Sequence, residues 1–389
     1  MKTYFYIFLL NLLCLGLHVN AQEETIKNPL IEIKGYIKDI QTSFFQDRIE
    51  SITSFNTLHN RINLKLNLDS KLYFKLELRN RILWGDLIKE IPNYGTFLDD
   101  DAGFINLSKL WMDEKGFVIH SMADRMYLHY TTDVWDIKLG RQRINWGINT
   151  IWNPNDIFNA YNFLDFDYEE RPGSDALRIQ KNLRSNASIE FAYKPGKNKD
   201  QHIGGILYKW NSAAYDFQLL TGLLNTDYFI GGGWAGSIMD AGFKGEFSYF
   251  HPKKNTDDTS GVWSLSFMFD QTFTNEWYLS FAYLYNSQPN GSLIGNSGFL
   301  DAQLSAKSLF PYRTTFYTGI SKSLSPIHNL ALALIYSPTQ NTILCIPSYH
   351  WNAATNFDID ITLQSSFAEI SKTYKSIGNA FYIRGKWSF

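Results

Sequence analysis

The sequence predicts a transmembrane, antiparallel, up-and-down β-barrel of about 18 strands, with about 16 as the alternative. Apolar and polar residues alternate with a period of two along many segments, as in Ile62, Leu64, Leu66 and Leu68 against Arg61, Asn63, Lys65 and Asn67. Such a strand turns one face to lipid and the other to a wet interior. Aromatic residues make up 16% of the chain, with 23 Tyr and 11 Trp. That abundance suits rings placed at two membrane interfaces. After the first residues no apolar run approaches the roughly 20 needed for a spanning helix, so strands must do the crossing. The closing nonapeptide Phe381–Phe389 alternates in the same way and places Trp387 and Phe389 at the end of the chain.

At the other end, Lys2 precedes an apolar run from Tyr4 to Leu17, and Val19-Asn20-Ala21 offers a small-residue cleavage site. Residues 1–21 read as a secretory signal peptide, 22–30 as a short periplasmic tail and 31–389 as the barrel. The mature chain would hold one cysteine, Cys345, and form no internal disulfide. Loss of Lys2 takes the formal charge from −2 to −3. Such a balance gives no argument for a nucleic-acid partner.

In chain order the strands are expected near 31–45, 56–69, 71–84, 121–130, 134–143, 176–184, 187–194, 203–210 and 215–224. Nine more are expected near 229–237, 241–250, 262–272, 277–287, 312–322, 329–338, 342–350, 355–366 and 378–389. The glycine-rich 229–237 is the weakest. Short connections then fall on one side, among them Asp69-Ser70, Thr131–Asp133, Ser185-Asn186, Met239-Asp240, Thr274–Glu276 and Ser323–His328. The long connections 85–120, 144–175, 251–261 and 288–311 fall on the other, as a barrel with periplasmic termini requires. The closing strand resembles the last strand of Gram-negative outer-membrane barrels, which commonly end in Phe. The resemblance implies recognition by the barrel-assembly machinery through Trp387 and Phe389, and contact with outer-membrane lipid and lipopolysaccharide. Gly385 departs from that pattern, which usually has a larger apolar residue there.

The densest polar stretch runs through Leu139-Gly-Arg-Gln-Arg-Ile-Asn-Trp-Gly147, Trp152-Asn-Pro-Asn-Asp156 and Asp165-Phe-Asp-Tyr-Glu-Glu-Arg-Pro-Gly173 to Asp175-Ala-Leu-Arg178. Strict alternation from Trp135, Ile137 and Leu139 would send Arg141 and Arg143 into lipid, at a cost of about 2–4 kcal/mol at the midplane. A bulge or twist at Gly140, or emergence from the membrane by Arg141, is therefore expected. The acids Asp156, Asp165, Asp167, Glu169, Glu170 and Asp175 are candidate partners for Arg141, Arg143, Arg171 and Arg178, because guanidinium pairs bidentately with carboxylate. With Trp146, this set would pin a loop, 144–175, inside the barrel as a constriction. Arg61, Lys65, Lys75, Arg79, Arg178 and Arg184 would form an opposing basic wall. These forty or so residues are similar to a stretch of uncharacterised Gram-negative outer-membrane barrels that are porin-like or related to alginate-export-type channels. That likeness implies a passive channel for small hydrophilic solutes, and an export or scaffold barrel is the second reading.

Other signals carry less. Gly231-Gly-Gly-Trp-Ala-Gly236 fits a dinucleotide-binding pattern but lacks the strand–helix–strand setting, and reads as a glycine-softened barrel strand. Asp99-Asp-Asp101 and Asp257-Asp258 lack calcium-loop spacing. No metal-ligand or cofactor motif is present in the sequence. His120-Ser121, Asp124 and His129 are the nearest approach to a hydrolase cluster. Adjacent His and Ser on a strand face opposite ways and no nucleophile elbow surrounds them, so no catalytic residues are expected.

Overall fold

The computed structural model describes residues 29–46, 51–101, 103–159, 173–183, 186–253, 260–289 and 304–389. The expected signal peptide, its cleavage site and nearly all of the tail 22–30 lie outside the described residues. Period-two alternation becomes strands β1 (Ile31–Phe45), β2 (Thr53–Asn67), β3 (Leu72–Trp84), β4 (Ser108–Glu114), β5 (Phe117–Thr131), β6 (Trp135–Gln142), β7 (Ser174–Leu183), β8 (Ala187–Lys194), β9 (Ile203–Ser212) and β10 (Tyr215–Leu224). It continues with β11 (Asp227–Ile238), β12 (Ala241–Pro252), β13 (Val262–Thr272), β14 (Trp277–Asn286), β15 (Thr314–Ser325), β16 (His328–Ser337), β17 (Thr342–Ala354), β18 (Phe357–Ile370) and β19 (Thr373–Ser388). Each pairs antiparallel with its neighbours, and β1 closes the circle on β19 from Tyr36↔Ser388 to Phe45↔Asn379.

Eighteen strands form the closed wall. β3 pairs directly with β5, and the short β4 lies only against the upper half of β5, from Ser108↔Met122 to Glu114↔Phe117. This corrects the reading of 85–120 as plain loop, since its period-two core is short and carries Lys109, Asp113 and Glu114. Two helical turns, Asp86–Glu90 and Tyr94–Leu98, precede it. β5 accordingly starts at Phe117 rather than 121.

The faces separate as lipid and lumen require. On β5, Leu128 and Tyr130 are exposed outward while Tyr127 and His129 are buried inward. Between Glu77↔Arg125 and Leu78↔Ala123 the register shifts, leaving Asp124 as the extra residue of a bulge. Asp124 and Arg125 are consequently both buried, two adjacent charges on the inner face.

The rim carrying Phe389 is built of short turns. Ala213 and Ala214 join β9 to β10 with φ of 51° and 64°, left-handed geometry in which a Cβ is strained. Substituting Ala213→Asn and Ala214→Gly fits the type I′ turn, and the unfolding midpoint should rise by the equivalent of about 1 kcal/mol per position.

The hydrophobic core lies inside the barrel. Ile144, Trp146, Ile157 and Phe158 pack with Ala192, Leu207, Leu220, Phe229 and Phe250 of the β8–β12 wall. Ile151, Trp152, Leu309, Phe310 and Tyr312 pack with Met268, Leu284, Tyr317, Ile335 and Leu344 of β13–β17. Two chain segments from the loop rim therefore fold inward and cover one half of the inner wall.

Candidate pore and its inserted segment

Gly140 redirects the strand. Its φ of 120° suits glycine, and a Cβ there would lie 2.3 Å from the Met126 carbonyl oxygen. Past it Arg141 and Gln142 are both buried, so alternation stops and the arginine turns inward as expected. Arg141 donates through Nε to Asp175 Oδ1 at 2.7 Å and through Nη2 to Asp175 Oδ2 at 3.0 Å. Nη1 reaches Asp101 Oδ2 at 2.8 Å and Nη2 the Ile105 carbonyl at 2.6 Å. A single guanidinium thus ties β6, β7 and the 99–107 loop together. Burial tends to raise the Asp101 carboxyl, but Arg141 and the N–H groups of Leu107 and Gly103 outweigh it and hold it below the usual carboxylate range.

Beyond Gln142 the chain crosses the lumen and lies on the inner wall. Glu246 of β12, fully buried, accepts N–H bonds from Ile148 (2.5 Å) and Asn149 (2.6 Å) on Oε1 and from Asn155 (2.9 Å) on Oε2. Asn155 donates to the Gly232 carbonyl at 2.9 Å and accepts from Ser248 Oγ at 2.8 Å. Gln218 donates to the Trp146 carbonyl at 2.7 Å, and Trp146 Nε1 to Glu190 Oε1 at 2.7 Å. The Gly231-Gly232-Gly233 run is the floor on which this segment rests. A Cβ on Gly231 would come within 2.8 Å of Asn155 Oδ1, and one on Gly233 within 2.9 Å of Ile148 Cδ1.

The opposite wall is charged. Arg61 binds Glu77 and Asp124, each at 2.5 Å, Arg79 binds Asp124 at 2.8 Å, and Arg125 binds Glu77 at 3.1 Å. Next to them Arg178 bridges Asp136 (2.7 Å) and Glu190 (2.8 Å). A cavity of about 730 Å³ opens between this wall and the inserted segment, lined by Arg79, Arg81, Asp101, Asp124, Arg141, Phe158, Asn159, Lys194 and Lys307 among others.

The expected site residues scatter more than predicted. Arg141, Asp175 and Arg178 lie on β6 and β7, and of the anticipated pairs Arg141–Asp175 forms among the described residues. Among the described residues Arg178 pairs with acids of the neighbouring strands, Asp136 of β6 and Glu190 of β8. Among the described residues Arg61 and Arg79 of the basic wall pair in place with Glu77 and Asp124. Trp146 and Asp156 are buried in the segment, and Arg143 is exposed just beyond β6. Asp165, Asp167, Glu169, Glu170 and Arg171 lie outside the described residues, as does Arg184. Sequence reasoning missed Glu246, Asp101 and the 304–313 segment, where Ala306, Leu309, Phe310 and Tyr312 are buried and Lys307 pairs with Asp227. The glycine run was the one local signal for this docking, and its meaning is close approach of another segment.

The hydrolase cluster disperses. Ser121 faces outward to Asn80, His129 binds Asp136, and Asp124 binds arginines. His120 instead meets Ser108, with Nε2 2.6 Å from its Oγ, while Ser108 donates to Asp99 at 2.7 Å and Arg81 approaches His120 Nδ1 at 3.2 Å. Since guanidinium only donates, Nδ1 accepts, Nε2 carries the proton, and the imidazole has no lone pair to take one from Ser108. The four residues brace β3, β4 and β5.

A closed 18-strand wall with segments folded into its lumen defines a barrel of the porin type. No protein-family model matches the chain, and no curated protein matches it in sequence. Solved structures do match. Acinetobacter baumannii OccAB4 superposes with a TM-score of 0.59 and 8% identity over 93% of this chain and 99% of that one. Pseudomonas aeruginosa OccK5 (OpdH) gives 0.56 and 8% over 92% and 98%, and OccK11 (OpdR) gives 0.56 and 9% over 92% and 96%. At such identities the likeness is one of fold.

Proposed function

We propose that the chain is an outer-membrane diffusion channel of a Gram-negative bacterium, passing small hydrophilic solutes through a lumen narrowed by the segment between β6 and β7. The observation that carries this reading is the clasp of Ile148, Asn149 and Asn155 on Glu246, which keeps that segment against one wall. Solutes then pass between it and the paired charges of β2, β3 and β5. Fixed charges in a narrow, low-dielectric passage act strongly on polar solutes and on water. We assign Trp387 and Phe389 to recognition by the barrel-assembly machinery, and the outward apolar belt to lipid and lipopolysaccharide contact.

Proteoliposomes carrying the full chain should swell in small sugars and amino acids and stay unchanged in long oligosaccharides. An absence of swelling in every solute, together with no conductance, would remove the channel reading and favour an export or scaffold barrel.

A further inference from the structure

Around most of the barrel the outward residues are apolar or aromatic, as with Ile189, Phe191, Ile206, Leu219, Ile230 and Phe281. The face formed by β1, β2, β3 and β5 departs from this. Asn60 projects outward between Leu58 and Ile62, and Asn80 between Leu78 and Ile82, so both lie within the apolar belt and not at its rim. They belong to one chain of hydrogen bonds that crosses five strands. Trp111 Nε1 donates to Ser121 Oγ (2.9 Å), Ser121 to Asn80 Oδ1 (2.7 Å), Asn80 Nδ2 to Asn60 Oδ1 (3.2 Å), and Asn60 Nδ2 to the Tyr36 carbonyl (3.4 Å).

The two edges of this face carry opposite charge. On β1 Asp39 is exposed outward, across from Leu58 on one side and Gly385 on the other. Among the described residues it has the Gln41 amide, at 2.9 Å, as a donor and no ion pair. A carboxylate in contact with hydrocarbon is costly, and strands elsewhere on the wall avoid it. On the far edge Lys109 of β4 is exposed beside Ser121, its ammonium 5.9 Å from the Trp111 ring. Next to Asp39 a notch of about 530 Å³ opens between Ile37, Phe357, Ile383, Gly385 and Trp387. A Cβ on Gly385 would meet nothing nearer than the Phe357 ring, at 3.6 Å. The chain's own packing does not need this glycine, so the notch is free to receive a side chain from outside.

We propose that this face is a contact between two copies of the chain in the membrane. Copies inserted the same way up are related by a two-fold axis along the membrane normal. Such an axis sets the left edge of one patch against the right edge of the other, so Asp39 of each copy approaches the Lys109 edge of its neighbour, and the Asn60–Asn80 amides meet near the centre. Amides serve this contact because each both donates and accepts. The inference is independent of the channel reading, since it concerns only the outer wall.

The test is disulfide trapping of the full chain in lipid nanodiscs, in a Cys345→Ser background. Asn60→Cys, near the axis, should give a covalent dimer of twice the chain mass, and Phe281→Cys on the far wall should not. Asp39→Lys and Lys109→Asp should each lower the trapped fraction about tenfold, and the double exchange should restore it, which a folding defect would not do. A Gly385→Leu chain that folds, judged by heat-modifiable mobility, should trap poorly because its notch is filled. Trapping from Asn60→Cys no greater than from Phe281→Cys, with monomeric mass by light scattering, would overturn the proposal in favour of a lipid-facing patch. A complex containing a different protein would overturn it as well.

Discussion

In the proposed channel, Glu246→Leu should release the inserted segment and raise the single-channel conductance, with a noisier open state. Among the described residues the carboxyl group accepts from the N–H groups of Ile148, Asn149 and Asn155 at once, all against the inner wall. Leucine fills similar space but leaves three donors without a partner, at about 1–3 kcal/mol each. A loss of about 5.5 kcal/mol is enough to turn a segment docked ninety-nine times in a hundred into one docked about once. Glu246→Gln keeps one carbonyl acceptor but turns an NH₂ group towards backbone N–H, so its effect should fall between. Conductance and noise equal to the unsubstituted chain in Glu246→Leu would show that the clasp does not hold the segment.

Arg141→Met has the largest expected effect on stability. It leaves Asp101 and Asp175 buried without their shared cation, and breaking a buried pair of this kind costs about 3–5 kcal/mol. The urea midpoint of the refolded barrel should fall accordingly, and protease should cut the 99–107 loop first, because Asp101 is its tether. Arg141→Lys keeps the charge but not the fork that engages Asp175 through two nitrogens, so it should recover only part of the loss. A change under about 1 kcal/mol in Arg141→Met would mean that the carboxylates find solvent, contrary to their burial.

What could be read beforehand follows from how local each constraint is. Strands were legible because lipid and lumen act on every second residue, and Gly140 was legible because an arginine two positions after Leu139 had to leave the outward face. β4 was not, since only its pairing with β5 makes it a strand. Glu246 looks like any inward charge on an alternating strand, and its partners lie 98, 97 and 91 positions away in the chain. Asp101 is separated from Arg141 by 40 positions. The loop acids of 165–170 suggested themselves by sequence proximity and lie outside the described residues, whereas the wall acids that pair with Arg178, Asp136 and Glu190, give no such local signal. Gly231-Gly232-Gly233 announced a special backbone, but whether it bent a strand or received another segment depended on what packed against it.

In the proposed channel the segment after β6 sets the width of the passage. The most direct test is the single-channel conductance, in planar bilayers, of a chain in which Ile148–Asn155 is replaced by a short Gly-Ser linker. A larger conductance and a higher solute size limit than in the unsubstituted chain are expected, with the barrel still folded. Unchanged conductance and an unchanged size limit in a folded barrel would contradict it.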